Sequence, residues 1–200
     1  MAHSQFPTDT ASPPLAAPPP AAASATAPGG APVHAAARSA DVVRAGEAET
    51  LLQGALGADL LAGPARTGGA ASFVVHTLEP RAFGAPRHTH RHEDEYSYVL
   101  AGTVGVEIDA TTVVAQAGDL VCKPRGVPHA FWNAGDEPAR LLEVITPSGF
   151  ERYFVRLAEL FAEGDPPDLD ALGTIAADFG LDVDPTSVPR LAQTHGLVLQ

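Results

Sequence analysis

From Asp41 onward, short apolar runs alternate with turn signals. Segments 50–52, 60–61, 72–78, 96–100, 103–108, 111–115, 119–122, 129–132 and 140–145 are too short for helices and are rich in Val, Ile, Thr, Tyr and Phe. That texture predicts strands. Gly68-Gly69, Ala101-Gly102, Asp109-Ala110, Gly118-Asp119, Arg125-Gly126 and Gly135-Asp136 punctuate them, in the rhythm expected of an all-β sandwich or barrel. Nothing between the runs is long enough for a parallel crossover helix, so the sheet is expected to be mostly antiparallel, and closed or double-layered to limit exposed edges.

After Ile145 the period switches. Ser148 and Glu151 have capping-box spacing, and Phe150, Phe154, Leu157 or Ala158, and Phe161 recur at helical intervals until Gly164 and Pro166. A second helix is predicted from Asp168 through Leu169, Leu172, Ile175 and Phe179, with Gly180 as its stop. The stretch from there to Gln200, with Pro185 and Pro189, has no clear period. Residues 1–40 are dominated by Ala and Pro, cannot offset their conformational entropy by burial, and are expected to form a disordered or partly extended tail. The resulting division is a tail over 1–40, a β-barrel over 41–147 and a helical extension over 148–200.

Composition narrows the function classes. The 200 residues carry 12 basic and 24 acidic side chains, a formal charge of −12, which repels phosphates and disfavours nucleic acid or an anionic membrane as partner. The single Cys122 excludes an intramolecular disulfide and any multi-thiolate zinc site. No apolar run reaches the ~18 residues of a membrane helix, and the N-terminus lacks the pattern of a secretory signal. A cytoplasmic protein with a small-molecule partner is the expectation.

His88, His90 and His92 fall within five residues, in Arg87-His-Thr-His-Arg-His-Glu-Asp-Glu95. On an extended chain, residues two apart point to the same face, so His88 and His90 can aim at one point. The acidic turn before Tyr96 can bring Glu95 round to the same place, and His129 opens another predicted strand after Pro128. Three neutral imidazoles and a carboxylate form a borderline-to-hard ligand set suited to divalent Fe, Mn, Ni, Co, Cu or Zn, and four protein ligands on an octahedral ion leave two positions open for dioxygen or a bidentate substrate. Glu95 can serve as ligand, as general base, or as both in turn. Phe131 shares parity with His129, and Ser97 and Val99 share parity with Glu95, which makes these three candidate substrate-lining residues. Tyr96, Tyr98 and Trp132 have the opposite parity and are expected to face a second layer or the partner of a homodimer.

Two motifs now stand together: His88-Thr-His90-x4-Glu95-x6-Gly102, and Gly118-x5-Pro124-x-Gly126-x2-His129-x3-Asn133. They resemble the two motifs of the cupin superfamily, over about residues 44–160, with Ala82 standing where that family usually has a glycine and Gly84 nearer the histidines. The resemblance implies a jelly-roll barrel with one metal ion held inside by His88, His90, Glu95 and His129. Similarity to single-domain, quercetin-dioxygenase-like cupins further implies an enolic, flavonol or diketone substrate and, for some such proteins, addition of dioxygen. Isomerases, decarboxylases, cyclases and non-catalytic binders share the ligand set.

Overall fold

Alternation of inward apolar and outward polar side chains builds two antiparallel sheets. The computed structural model describes residues 41–163 and 168–198; the expected tail over 1–40 lies outside them. The elements run β1 (Glu49–Leu52), β2 (Leu56–Ala62), a single-turn α1 (Pro64–Thr67), β3 (Ser72–Leu78), β4 (Phe83–His90), β5 (Asp94–Ala101), β6 (Thr103–Ile108), β7 (Thr111–Gln116), β8 (Leu120–Lys123), β9 (His129–Asn133), β10 (Ala139–Thr146), α2 (Glu151–Glu163), α3 (Leu169–Asp178), β11 (Leu181–Asp184) and α4 (Ser187–His195). One sheet has the order β1-β2-β3-β10-β5-β8 and the other β11-β4-β9-β6-β7. This is the jelly roll that the motifs imply.

The interior divides into three clusters. Leu78, Val99, Val104, Val106, Phe131 and Leu141 pack one part of the barrel. A second cluster joins Val74 and Ile145 to Phe150, Phe154 and Leu157, so that α2 sits on the barrel through the face its apolar spacing predicted. Each such side chain contributes about 2 kcal/mol on burial. Phe161, expected on that face, is instead exposed, and Leu160 is buried. The Ser148–Glu151 capping box does not form, the Ser148 N–H donating instead to the Gly69 carbonyl. Glu151 Oε2 accepts from the Gly149 N–H at 2.7 Å and from Ser72 Oγ at 2.6 Å, while Ser148 Oγ is buried without a hydrogen-bond partner. Helix α3 begins as expected, its N-cap Asp168 accepting from the N–H groups of Asp170 and Ala171.

The segment after Gly180 is more ordered than its sequence suggests. Strand β11 pairs antiparallel with β4, Leu181 opposite His90 and Val183 opposite His88. Helix α4 then covers Trp132, which is 1% exposed and stacks on His195 at 4.2 Å, in a cluster with Leu191 and Leu197. Trp132 therefore faces a second layer, and this chain supplies it. Gly105 makes room: a Cβ there would lie 2.2 Å from the Trp132 ring. Tyr98 is exposed. Among the described residues no helix is long and apolar enough to cross a membrane.

Candidate metal centre

The four side chains singled out by the motifs meet across the gap between the two sheets. His88 and His90 alternate on β4, and His129 begins β9, where it is the direct antiparallel partner of His88. Glu95 comes from the opposite sheet, on β5, just beyond the 91–93 turn that joins the two. One ligand atom from each lies within 4.8 Å of the others, and all four residues are buried. The imidazole rings crowd together, with centroids 4.3 Å apart for His88 and His129, 5.1 Å for His88 and His90 and 5.6 Å for His90 and His129.

Hydrogen bonds on the far side of each ring decide which nitrogen faces the centre. His88 Nδ1 lies 2.7 Å from the Pro86 carbonyl oxygen and His129 Nδ1 lies 3.0 Å from that of Val127. His90 Nδ1 lies 3.3 Å from Glu93 Oε2. Oxygens only accept, so each Nδ1 donates to the oxygen behind it, and a neutral ring so held directs its Nε2 lone pair inward. That is the usual arrangement behind a metal-bound imidazole. His90 Nε2 is buried and has no hydrogen-bond partner, although Glu95 Oε1 is 3.3 Å away. His129 Nε2 is 3.2 Å from Glu95 Oε2.

Electrostatics keep the donors in ligand form. Burial, with His129 and His90 adding to it, holds His88 well below the ordinary imidazole value, and burial lowers His129 as well. For Glu95, burial pushes upward, but the Lys123 ammonium leads the influences that oppose it and the carboxyl sits well below its usual range. Two imidazoles held below their ordinary value and a third with an unpartnered inward nitrogen, beside an ionised carboxylate, fit a divalent transition-metal ion.

Of the proposed lining residues, Ser97 is buried and donates to Glu143 Oε2 at 2.8 Å. Phe131 lies under the Lys123 ammonium, with 5.1 Å between Nζ and the ring centroid. It also packs on Gly84, where a Cβ would fall 2.5 Å from the Phe131 ring. Val99 sits in the packed apolar cluster. His92 is exposed. His76 is buried on the same interior, its Nδ1 3.0 Å from the Gly57 carbonyl, and burial lowers it to about 4.

Sequence reasoning missed four residues around the site. Glu93 orients His90. Phe150, the residue just before α2, lies edge-on to His90 with centroids 4.5 Å apart and walls that side of the centre. Lys123 and Glu143, both 1% exposed, stand behind Glu95. The available signal was parity: Lys123 shares the inward face of β8 with Val121, and Glu143 that of β10 with Leu141 and Ile145.

Residues 74–145 match the family model described as a cupin domain. Among curated proteins, the chain is 29% identical over 84 residues to "Polyketide synthase CurC" of Streptomyces cyaneus, covering 42% of this chain and 54% of that protein. It is 26% identical over 84 residues to "Tetracenomycin polyketide synthase protein TcmJ" of Streptomyces glaucescens, covering 42% and 56%. The chain thus spans about half the length of these curated relatives. A solved structure from Thermotoga maritima, described as a predicted oxalate decarboxylase, is similar at 25% identity and a TM-score of 0.49, over 54% of this chain and 99% of the other.

Proposed function

We propose that this cupin-domain protein is a metal-dependent enzyme that binds a small enolisable molecule, an enol, flavonol or phenolic diketone, and oxidises it with dioxygen. The observation that carries the reading is the convergence of four buried donor atoms, three of them imidazole nitrogens freed by hydrogen bonds behind the rings. His88, His90, Glu95 and His129 would hold the ion. A divalent ion there would lower the pKa of a substrate hydroxyl and leave positions for substrate and dioxygen.

The chain's own groups set the rest. Glu95 serves as ligand and as acceptor of the substrate's proton at Oε1, because Oε2 is held by Lys123 at 2.9 Å. Burial of the site excludes water and strengthens every charge interaction in it. In this reading Phe131, Ser97 and Val99 are the residues that would line the substrate on the barrel side, as their strand parity suggests, and Phe150, edge-on to His90, would border it. The two Streptomyces relatives, both named for polyketide synthases, favour a polyketide-type substrate, since alternating carbonyls enolise readily. They also favour a second reading, in which the same ion assists ring closure, isomerisation or decarboxylation without oxygen. A cytoplasmic homodimer remains part of the proposal.

The test is oxygen uptake by metal-loaded protein with flavonols and aromatic diketones, against His129→Ala as control. Stoichiometric metal, oxygen consumption matched to product, and loss of at least about 100-fold in metal affinity for a correctly folded His129→Ala protein are expected. Equal turnover under nitrogen moves the assignment to the non-oxidative reading. Tight binding without product leaves a binding protein, and failure to bind any metal removes the whole proposal.

A further inference from the structure

Lys123 is the only lysine in the chain, and it is spent on the barrel interior. Its Nζ lies 2.9 Å from Glu95 Oε2 and 2.8 Å from Glu143 Oε2, and that second oxygen also accepts from Ser97 Oγ at 2.8 Å. Register enforces the arrangement. Glu95 is opposite Lys123 across β5 and β8, and Ser97 is opposite Glu143 across β5 and β10, so all four side chains lie on one face of three adjacent strands. The Phe131 ring beneath the ammonium completes its surroundings.

A buried lysine beside two carboxylates is expected to be a balanced charge cluster and nothing more. Here one of the two carboxylates also faces three inward imidazole nitrogens. A metal ion and the Lys123 ammonium therefore draw on the same carboxylate in a setting poorly screened by water, where the presence of one cation weakens the hold of the other. Glu143 works against that competition, because it pulls the ammonium toward β10 and away from the metal side.

We propose that Lys123 is a positioning residue that acts as an internal counter-cation: it balances Glu95 while no ion is bound and lowers the centre's affinity for the ion, and Glu143 moderates that effect. The inference rests on the metal-binding reading above. It differs from a purely structural role in the sign of what mutation does. If Lys123 and Glu143 only shape the site, replacing either one loosens the ligands and weakens binding. If Lys123 competes with the ion, the two replacements act in opposite directions.

The experiment titrates metal-free full-length protein with Co(II) at pH 8, reading visible absorption against a competing chelator, and follows thermal unfolding of the same metal-free samples. Lys123→Met is expected to bind Co(II) about tenfold more tightly than wild type or better, while its metal-free form melts lower because Glu95 and Glu143 lose their counter-charge. Glu143→Gln is expected to bind several-fold more weakly, since the ammonium then turns wholly to Glu95. Equal or weaker binding by Lys123→Met overturns the inference. Should Lys123→Met not fold without metal, Lys123→Gln, which keeps hydrogen-bond donors beside both carboxylates but not the charge, takes its place, and equal or weaker binding by it overturns the inference. A wild-type protein that takes up no Co(II) sinks the metal reading itself, an outcome distinct from wild-type binding with unchanged mutants.

Discussion

Glu95 and Glu107 are two buried carboxylates on barrel strands, each met by basic side chains from other elements. Around Glu107 the account closes. Oε1 accepts from Arg87 at 2.9 Å and Arg190 at 2.8 Å, and Oε2 accepts from Arg190 at 2.8 Å, with the two guanidiniums 23% and 50% exposed. Every acceptor is matched, the excess charge is positive and partly wet, and the result fastens α4 to β4 and β6. Around Glu95 the account stays open, because Lys123 is shared with Glu143 and three imidazole lone pairs have only an already engaged carboxylate in front of them. The same ingredients make a fastener in one place and a set of converging metal-type donors in the other. What separates them is the donor capacity left unmatched, more than the number of charges.

The comparison is tested most severely at Glu93, which touches the inner cluster only through His90. Glu93→Ala removes the acceptor that fixes the ring and is expected to weaken metal binding by tenfold to a hundredfold, as such supporting partners generally do. Chelator competition measures it, and unchanged affinity would mean that His90 needs no orienting partner.

Acid separates the clusters next. His76 is lowered to about 4 from an ordinary 6.5, so below pH 6.5 the unfolded chain takes up a proton that the folded barrel refuses. Folded metal-free protein therefore loses about 2 kcal/mol by pH 5, and His88 and His129, also lowered by burial, add loss of the same sign. The Glu107 carboxyl is held below its ordinary 4.5 by Arg190 and Arg87 despite partial burial. Its contribution is therefore intact above that value and fades only beneath it. Urea midpoints at pH 7 and pH 5 check the contrast, and a flat profile would show that the interior imidazoles are not kept neutral.

The smallest effect belongs to Arg190→Ala. Half exposed, with Arg87 still on Glu107, its loss is expected to cost under about 1 kcal/mol. Metal affinity is expected to stay at the wild-type level, as thermal unfolding and Co(II) titration on one sample would show.

Much of this was legible in the residues themselves. The strands of the barrel were marked by β-branched runs and glycine punctuation, and alternation alone placed His88 beside His90. The two motifs tied them to Glu95 and His129. Lys123 and Glu143 were not legible as partners of Glu95, because their meeting depends on β10 and β8 flanking β5 at a particular register, and local pattern does not encode which strands become neighbours. The pairing of β11 with β4 was hidden for the same reason. Leu181-Asp-Val-Asp184 is too short and too polar to read as a strand until a partner supplies its hydrogen bonds. Phe150 was legible as a helix residue and illegible as a wall of the metal centre, since helical spacing reports a buried face without naming what covers it.

The pairing of β11 with β4 has a practical corollary. The strand that bears His88 and His90 is an inner member of its sheet only because residues 181–184 seal its outer flank. Proteolytic clipping or genetic trimming ahead of that seal would turn the ligand-bearing strand into a bare, adhesive border that invites pairing between molecules, so shortened versions would tend to self-associate through the part of the barrel on which metal capture depends.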